Sequence, residues 1–246
     1  MGQVEHKEDA ENYGQLDWRE EKVPARIRSL QFKHCLFRAS HNTYVEDIQI
    51  GGNASIYEVM RVVSKGCRVI ELDLSHELGG DELVIGHSTG AIYGTTVVRF
   101  SKCCKALAAW AWKRSDYPLI LCFDLNGVEL EEVIPVLKAH FGKCLYTGPF
   151  TMDTKIEDLV GRVAVYPKGG DGFRSVGSNS LHTVVHHPES QVLRVYPNNV
   201  IHSTNYDPSN AFNMHAQVVA MNWNMEDAHL TKYMACIPTP IVALGV

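Results

Sequence analysis

Tyr117-Pro118-Leu119-Ile120-Leu121-Cys122-Phe123-Asp124-Leu125 is the stretch on which the fold turns. Its centre is an unbroken apolar run, opened by a proline and lacking polar residues at alternate positions. Such a run reads as a strand buried on both faces, the habit of parallel sheets. Outward from it, Leu36 to Ala39, Cys67 to Leu74, Leu83 to Gly86, Arg162 to Tyr166, Val192 to Tyr196 and Gln217 to Trp223 predict further strands. Between them the spacing predicts helices. Residues 54–65 carry Ala54, Ile56, Val59, Met60 and Val63 at helical intervals. Residues 97–112 set Leu107, Trp110 and Ala111 on one face, and residues 128–140 form a third helix. Strands alternating with helices imply a parallel sheet with crossover connections. For 246 residues in one α/β domain, a (β/α)8 TIM-type barrel is expected ahead of an open sheet. The Gly-, Ser- and His-rich region 168–190 is expected to be a long loop or a degenerate unit, and residues 1–28 a polar arm.

Hydrophobic residues make up 45% of the chain, enough for one large core. The net charge of −5 argues against a nucleic-acid binder and offers no global attraction to an anionic membrane. The cysteines are Cys35, Cys67, Cys103, Cys104, Cys122, Cys144 and Cys236. They are odd in number and have no CxxC spacing, so they read as reduced core residues of an intracellular protein. The charged N-terminus lacks the apolar stretch of a signal peptide, and no run is long enough to span a bilayer. Met1-Gly2 is a poor acylation signal, because His6 stands where Ser or Thr is preferred. The expected setting is cytoplasmic, with any membrane contact peripheral.

The chemistry gathers in three strings. Ser40-His41-Asn42-Thr43-Tyr44, Glu71-Leu72-Asp73 and Gly86-His87 all stand on or beside the predicted strands. Barrel enzymes place their chemistry at strand ends. Two imidazoles that can exchange protons, beside carboxylates that can hold a hard cation, suit cleavage of a phosphodiester. Glu71 and Asp73 are two residues apart and therefore share one side of a strand, opposite Ile70, Leu72 and Leu74.

Longer strings follow the same order. Ala39 to Tyr44, Gly66 to Asp73, Gly86-His87 and Tyr117 to Leu121 come first. Leu193-Arg194-Val195-Tyr196-Pro197, Ser203-Thr204-Asn205-Tyr206-Asp207-Pro208 and Gln217 to Trp223 come after. Together they resemble the X and Y halves of the catalytic barrel of the eukaryotic phosphoinositide-specific phospholipases C. The X-like half covers about 36–145 and the Y-like half about 190–246. The resemblance implies a distorted barrel over residues 29–246, without the family's usual membrane-binding, EF-hand and C2 modules. It also implies a calcium-dependent reaction on a phosphoinositide lipid. The inositol 2-hydroxyl attacks the phosphorus, diacylglycerol leaves, and water opens the cyclic product.

By resemblance, His41 stabilises the charged phosphorus and His87 protonates the leaving oxygen. Asn42, Glu71 and Asp73 match calcium ligands, and Asp124 stands where the family usually has a glutamate. One of the carboxylates, Glu71 or Asp73 among them, can serve as base. Lys168 matches one of two headgroup lysines, while Tyr166 replaces the other. Arg194 and Tyr196 match a phosphate-binding arginine and a ring-stacking tyrosine, and Ser178 or Ser180 is expected to supply a further contact. An apolar membrane rim is expected from Val45, Ile48, Ile92, Tyr93 and Val200. Protein partners are not indicated. Two other readings compete. A glycerophosphodiester phosphodiesterase shares the barrel and the Glu-x-Asp pair but opens with a His-Arg-Gly string absent here. A non-catalytic inositide binder would lose a catalytic histidine, and both are present.

Overall fold

The apolar runs pair in parallel, in chain order, except Leu83–Ile85, which pairs antiparallel. In the computed structural model, which describes residues 12–48, 51–89, 92–166, 172–184, 191–198 and 203–245, seven strands build the barrel. They are β1 (Cys35–Ser40), β2 (Val69–His76), β3 (Leu119–Leu125), β4 (Val163–Val165), β5 (Phe173–Gly177), β6 (Val192–Tyr196) and β7 (Val218–Met221). β1 to β4 pair successively, as do β5 to β7, and β7 returns to β1 with Phe37 opposite Val218 and Ser40 opposite Met221. One seam remains: among the described residues no ladder joins β4 to β5. Three short antiparallel strands complete a ten-stranded sheet. Leu83–Ile85 folds back on the end of β2, Val98–Arg99 follows it, and Ile241–Ala243 lies beside the start of β1.

Strand alternation sorts the side chains into two cores. Ile70, Leu72 and Leu74 of β2, with Leu119, Leu121 and Phe123 of β3, pack outward in one cluster with the helices. Phe37, Ala39, Val69, Ile120, Cys122, Val192, Val218 and Ala220 fill the barrel interior. The outer cover comes from α1 (Ile56–Ser64), α2 (Phe100–Trp110), α3 (Leu130–Phe141) and α4 (Ala228–Cys236). Three of the four, α1, α3 and α4, are started by side-chain caps. The Ser55 hydroxyl accepts the Glu58 N–H at 3.2 Å, Glu129 and Glu132 form a capping box, and Asp227 accepts the Leu230 N–H at 2.8 Å. Such caps contribute about 1 kcal/mol each.

Three expectations change. Of the residues read as a polar arm, those from Asn12 to Arg28 that the structure describes join the body. Tyr13, Trp18, Val23 and Ile27 are buried, Trp18 stacks on Trp110, and the Val23 N–H donates to Asp116 at 2.7 Å. Sparse apolar residues among charges are enough to anchor a segment when each finds a pocket. The third predicted helix holds, but the second starts later, because Val98–Arg99 pairs with Leu83–Ile85 before α2 begins at Phe100. The region 168–190 contains barrel strand β5, so in its described part it is not simply a loop.

Candidate active site

The inward rows of the barrel change character toward the strand ends. On β2 the row runs Val69, Glu71, Asp73, and on β3 Ile120, Cys122, Asp124. On β6 it runs Val192, Arg194, Tyr196. Past β1 and β7 the same phase reaches His41 and Asn222. The polar ends enclose a cavity of about 260 Å³, lined by His41, Asn42, Glu71, Asp73, His87, Asp124, Ser175, Arg194 and Tyr196.

The carboxylates gather on one wall. Asp73 and Asp124 are register partners on adjacent strands. Asn42, at the turn after β1, has φ +41, a left-handed conformation that asparagine tolerates better than most residues. Its N–H lies 3.4 Å from Glu71 Oε2, and the Thr43 hydroxyl accepts the Glu71 N–H at 3.0 Å. Burial raises the Asp73 pKa, opposed by its hydrogen bond with His87 and assisted by the neighbouring charges of Glu71 and Asp124. Asp73 Oδ1 is buried with no hydrogen-bond partner among the described residues. Beneath them the buried Tyr44 hydroxyl is pushed well above its ordinary range, first by burial and then by Asp73.

The imidazoles take different partners. His87 Nδ1 lies 3.3 Å from Asp73 Oδ2, and that hydrogen bond raises the His87 pKa against the opposing effect of burial. Gly86 delivers it: a Cβ there would meet the Thr96 carbonyl oxygen and Val97 Cγ1 at 2.9 Å. His41 Nδ1 lies 3.0 Å from Asn222 Oδ1, its Nε2 lies 3.8 Å from Glu71 Oε2, and its ring stacks on Tyr196. Arg194, 2% exposed, reaches from β6 to Glu71, Nη2 to Oε1, at 2.6 Å. Burial lowers its pKa, but the Glu71 charge wins and the net shift is upward, so the guanidinium stays charged. It also sits 4.8 Å over the Tyr196 ring.

Thus eight of the predicted residues share one cavity. Tyr166 does not line it. It is 2% exposed, its ring packs edge-on against Phe173, and its hydroxyl has no hydrogen-bond partner among the described residues. Lys168 lies outside the described residues, as do Val200 and the side chains of Ile92 and Tyr93. Val45 is buried rather than at a rim, while Ile48 is exposed. Ser178 and Ser180 fall on a 3-10 turn, and the cavity serine is Ser175 on β5. Sequence reasoning also gave no role to Asn222. Both signals were present as phase: Ser175 is two residues past inward Phe173, and Asn222 two past inward Ala220.

The residues suit calcium by donor type: one amide carbonyl and three carboxylates, of which Asp73 has a buried oxygen without a partner among the described residues. As the side chains stand, no three His, Cys, Asp or Glu among the described residues form a closed metal cluster. Glu71 is held toward Arg194 instead.

Comparison with known proteins gives the following. Residues 29–168 match the family model "Phosphatidylinositol-specific phospholipase C, X domain", and residues 171–236 match the corresponding Y domain. The X match extends beyond the first half read from the sequence at both ends and takes in β4, while the Y match starts earlier than the second half, taking in β5, and ends earlier. Over 119 residues the chain is 38% identical to the 1-phosphatidylinositol 4,5-bisphosphate phosphodiesterase of Drosophila melanogaster, covering 47% of this chain and 11% of the fly protein. Over 131 residues it is 32% identical to inactive phospholipase C-like protein 1 of Homo sapiens, covering 52% of this chain and 12% of the human one. The aligned part therefore spans about a tenth of these curated relatives. The crystal structure of S. officinalis PLC21 matches with a TM-score of 0.76 at 20% identity, over 89% of this chain and 37% of that one. At that identity the likeness is one of fold.

Proposed function

Because the chain belongs to the phosphoinositide-specific phospholipase C family, we propose that it is a calcium-dependent phosphoinositide phospholipase C. Its substrates are phosphatidylinositol and its phosphates, and its products are diacylglycerol and an inositol phosphate made through a cyclic phosphodiester. The observation that carries this reading is the convergence of His41, His87, Glu71, Asp73, Asp124 and Arg194 on one cavity.

The nucleophile is the substrate's own 2-hydroxyl, so the protein supplies proximity, a base, an acid and charge. The new bond joins the 2-oxygen to phosphorus, and the bond from phosphorus to the diacylglycerol oxygen breaks. Glu71 or Asp73 takes the hydroxyl proton. His87, whose raised pKa favours the protonated ring, delivers a proton to the leaving oxygen. His41 donates toward the charged phosphoryl oxygens. Asn42, Glu71, Asp73 and Asp124 would hold calcium, which when bound neutralises phosphate charge and lowers the 2-hydroxyl pKa. Arg194, Ser175 and Tyr196 receive the headgroup, arginine having the fork that fits phosphate.

Lipid contact in this reading is peripheral. Among the described residues no helix is long and apolar enough to cross a membrane. Exposed Ile48, Leu78 and Leu130 follow the C-terminal ends of β1, β2 and β3, the end that carries the cavity. A second reading, inositide binding without turnover, draws on the relative named inactive and on Arg194 being tied to Glu71. Hydrolysis of phosphatidylinositol and its bisphosphate, with calcium and with chelator, tests both. Calcium-dependent release of inositol phosphates is expected. Binding without release would transfer support to the second reading, and chelator-resistant release would remove the metal.

A further inference from the structure

Asn222 has no duty in the reaction above, yet it is 2% exposed and touches an imidazole of the site. A primary amide has a donor face and an acceptor face, and the face that meets a histidine decides what the histidine can do. Here the surroundings choose. Asn222 Nδ2 donates to the Thr204 carbonyl at 2.9 Å, which turns Oδ1 toward His41. The backbone of Asn222 is clipped from both sides by Asn205. Its Oδ1 accepts the Asn222 N–H at 2.7 Å, and its Nδ2 donates to the Asn222 carbonyl at 3.1 Å. An acceptor 3.0 Å from Nδ1 calls for a proton on Nδ1, since otherwise two buried lone pairs face each other. Tyr196 fixes the ring in a second direction, its plane 7° from that of His41 at 6.1 Å.

We propose that Asn222 is a positioning residue that keeps the proton on His41 Nδ1, so that Nε2 is the ring atom that exchanges a proton in the cavity and, when it carries one, donates toward the phosphoryl oxygens. Nε2 faces the acidic wall, 3.8 Å from Glu71 Oε2. The contrast with His87 follows from the partners. A carboxylate, Asp73, adds charge as well as direction at His87 Nδ1. An amide adds direction alone, so Asn222 orients His41 without bringing a further anion beside it. Only the kinetic arm of the proposal rests on the phospholipase reading.

The test is a long-range proton–nitrogen NMR spectrum of the full chain labelled with ¹⁵N-histidine, with His41 identified by its loss in His41→Gln. Wild-type His41 is expected as the Nδ1–H tautomer when neutral. In Asn222→Leu the Nε2–H tautomer gains population. Under saturating calcium that variant's kcat on soluble short-chain phosphatidylinositol falls about 10²-fold, with KM changed less than about threefold. Asn222→Asp keeps an acceptor, so it keeps the Nδ1 proton and stays within about tenfold of the wild-type kcat. A wild-type His41 protonated on Nε2 alone overturns the proposal, as does undiminished kcat in Asn222→Leu. Should Asn222→Leu fail to fold, the wild-type spectrum and Asn222→Asp decide by the same criterion, loss of the Nδ1 proton in either being fatal. The Nδ1–H tautomer in a wild type that hydrolyses nothing would defeat the phospholipase reading and leave the positioning role standing.

Discussion

The strands before the seam and the strands after it bring different chemistry to one cavity. Among the described residues, the first four strands and their loops supply both imidazoles, one amide and every cavity carboxylate: His41, Asn42, Glu71, Asp73, His87 and Asp124. The last three supply Ser175, Arg194 and Tyr196, a cation and two hydroxyls. In the proposed reaction one side moves protons and holds a cation, and the other receives an anionic, hydroxyl-rich ring. The division teaches that catalysis and recognition are separable in sequence while sharing walls in space. They meet through the Arg194–Glu71 pair and the contacts of Asn222 and Tyr196 with His41.

If the division is real, substitutions before the seam act on turnover. His41→Ala and His87→Ala are each expected to lower kcat by about 10²-fold or more with folding intact, measured on soluble substrate under saturating calcium. Wild-type turnover in either would break the division at its strongest point. After the seam the effect moves to selectivity. Arg194→Gln is expected to lower kcat/KM for bisphosphate relative to unphosphorylated phosphatidylinositol by about 10- to 100-fold, the range of a charge-assisted bond of about 1.5–3 kcal/mol. An equal loss on both substrates would mean that Arg194 serves Glu71 rather than the headgroup.

Asp124→Glu sharpens the metal side. Restoring one methylene is expected to leave calcium affinity equal or higher by up to about tenfold in calorimetry, because calcium accepts varied geometry. Lost binding would show a wall adapted to the shorter side chain. The smallest effect concerns Tyr166. Its buried hydroxyl lacks a partner among the described residues, so Tyr166→Phe is expected to raise stability by about 1 kcal/mol, seen as a melting-temperature rise of about 2–4 °C. A fall instead would show that the hydroxyl contributes to the fold.

Much of this was legible in the residues. The unbroken run at Leu119 to Phe123 reports burial on both faces, and that is the property a barrel strand has. Glu71 and Asp73 share a side for the same geometric reason. What stayed hidden depends on partners distant in sequence. Tyr166 has the inward phase of a site residue, but its ring settles against Phe173, which belongs to a strand masked by a glycine- and serine-rich region. Ser175 was hidden by the same strand. Trp18 looks exposed among charged neighbours until Trp110, from α2, covers it. Asn222 becomes informative only when Thr204 fixes the face it shows.

The three neighbours of β1 bear on how the chain is made. β1 takes β2 on one edge near its end, β7 on the other, and Ile241–Ala243 beside its beginning. A ribosome delivers β1 about two hundred residues before two of these neighbours. Long-range pairing of this kind slows folding and leaves strand edges open meanwhile. The nascent chain must therefore carry an unfinished strand while those residues are made, so a pause or truncation within that interval is more hazardous than in a repeat protein of equal length.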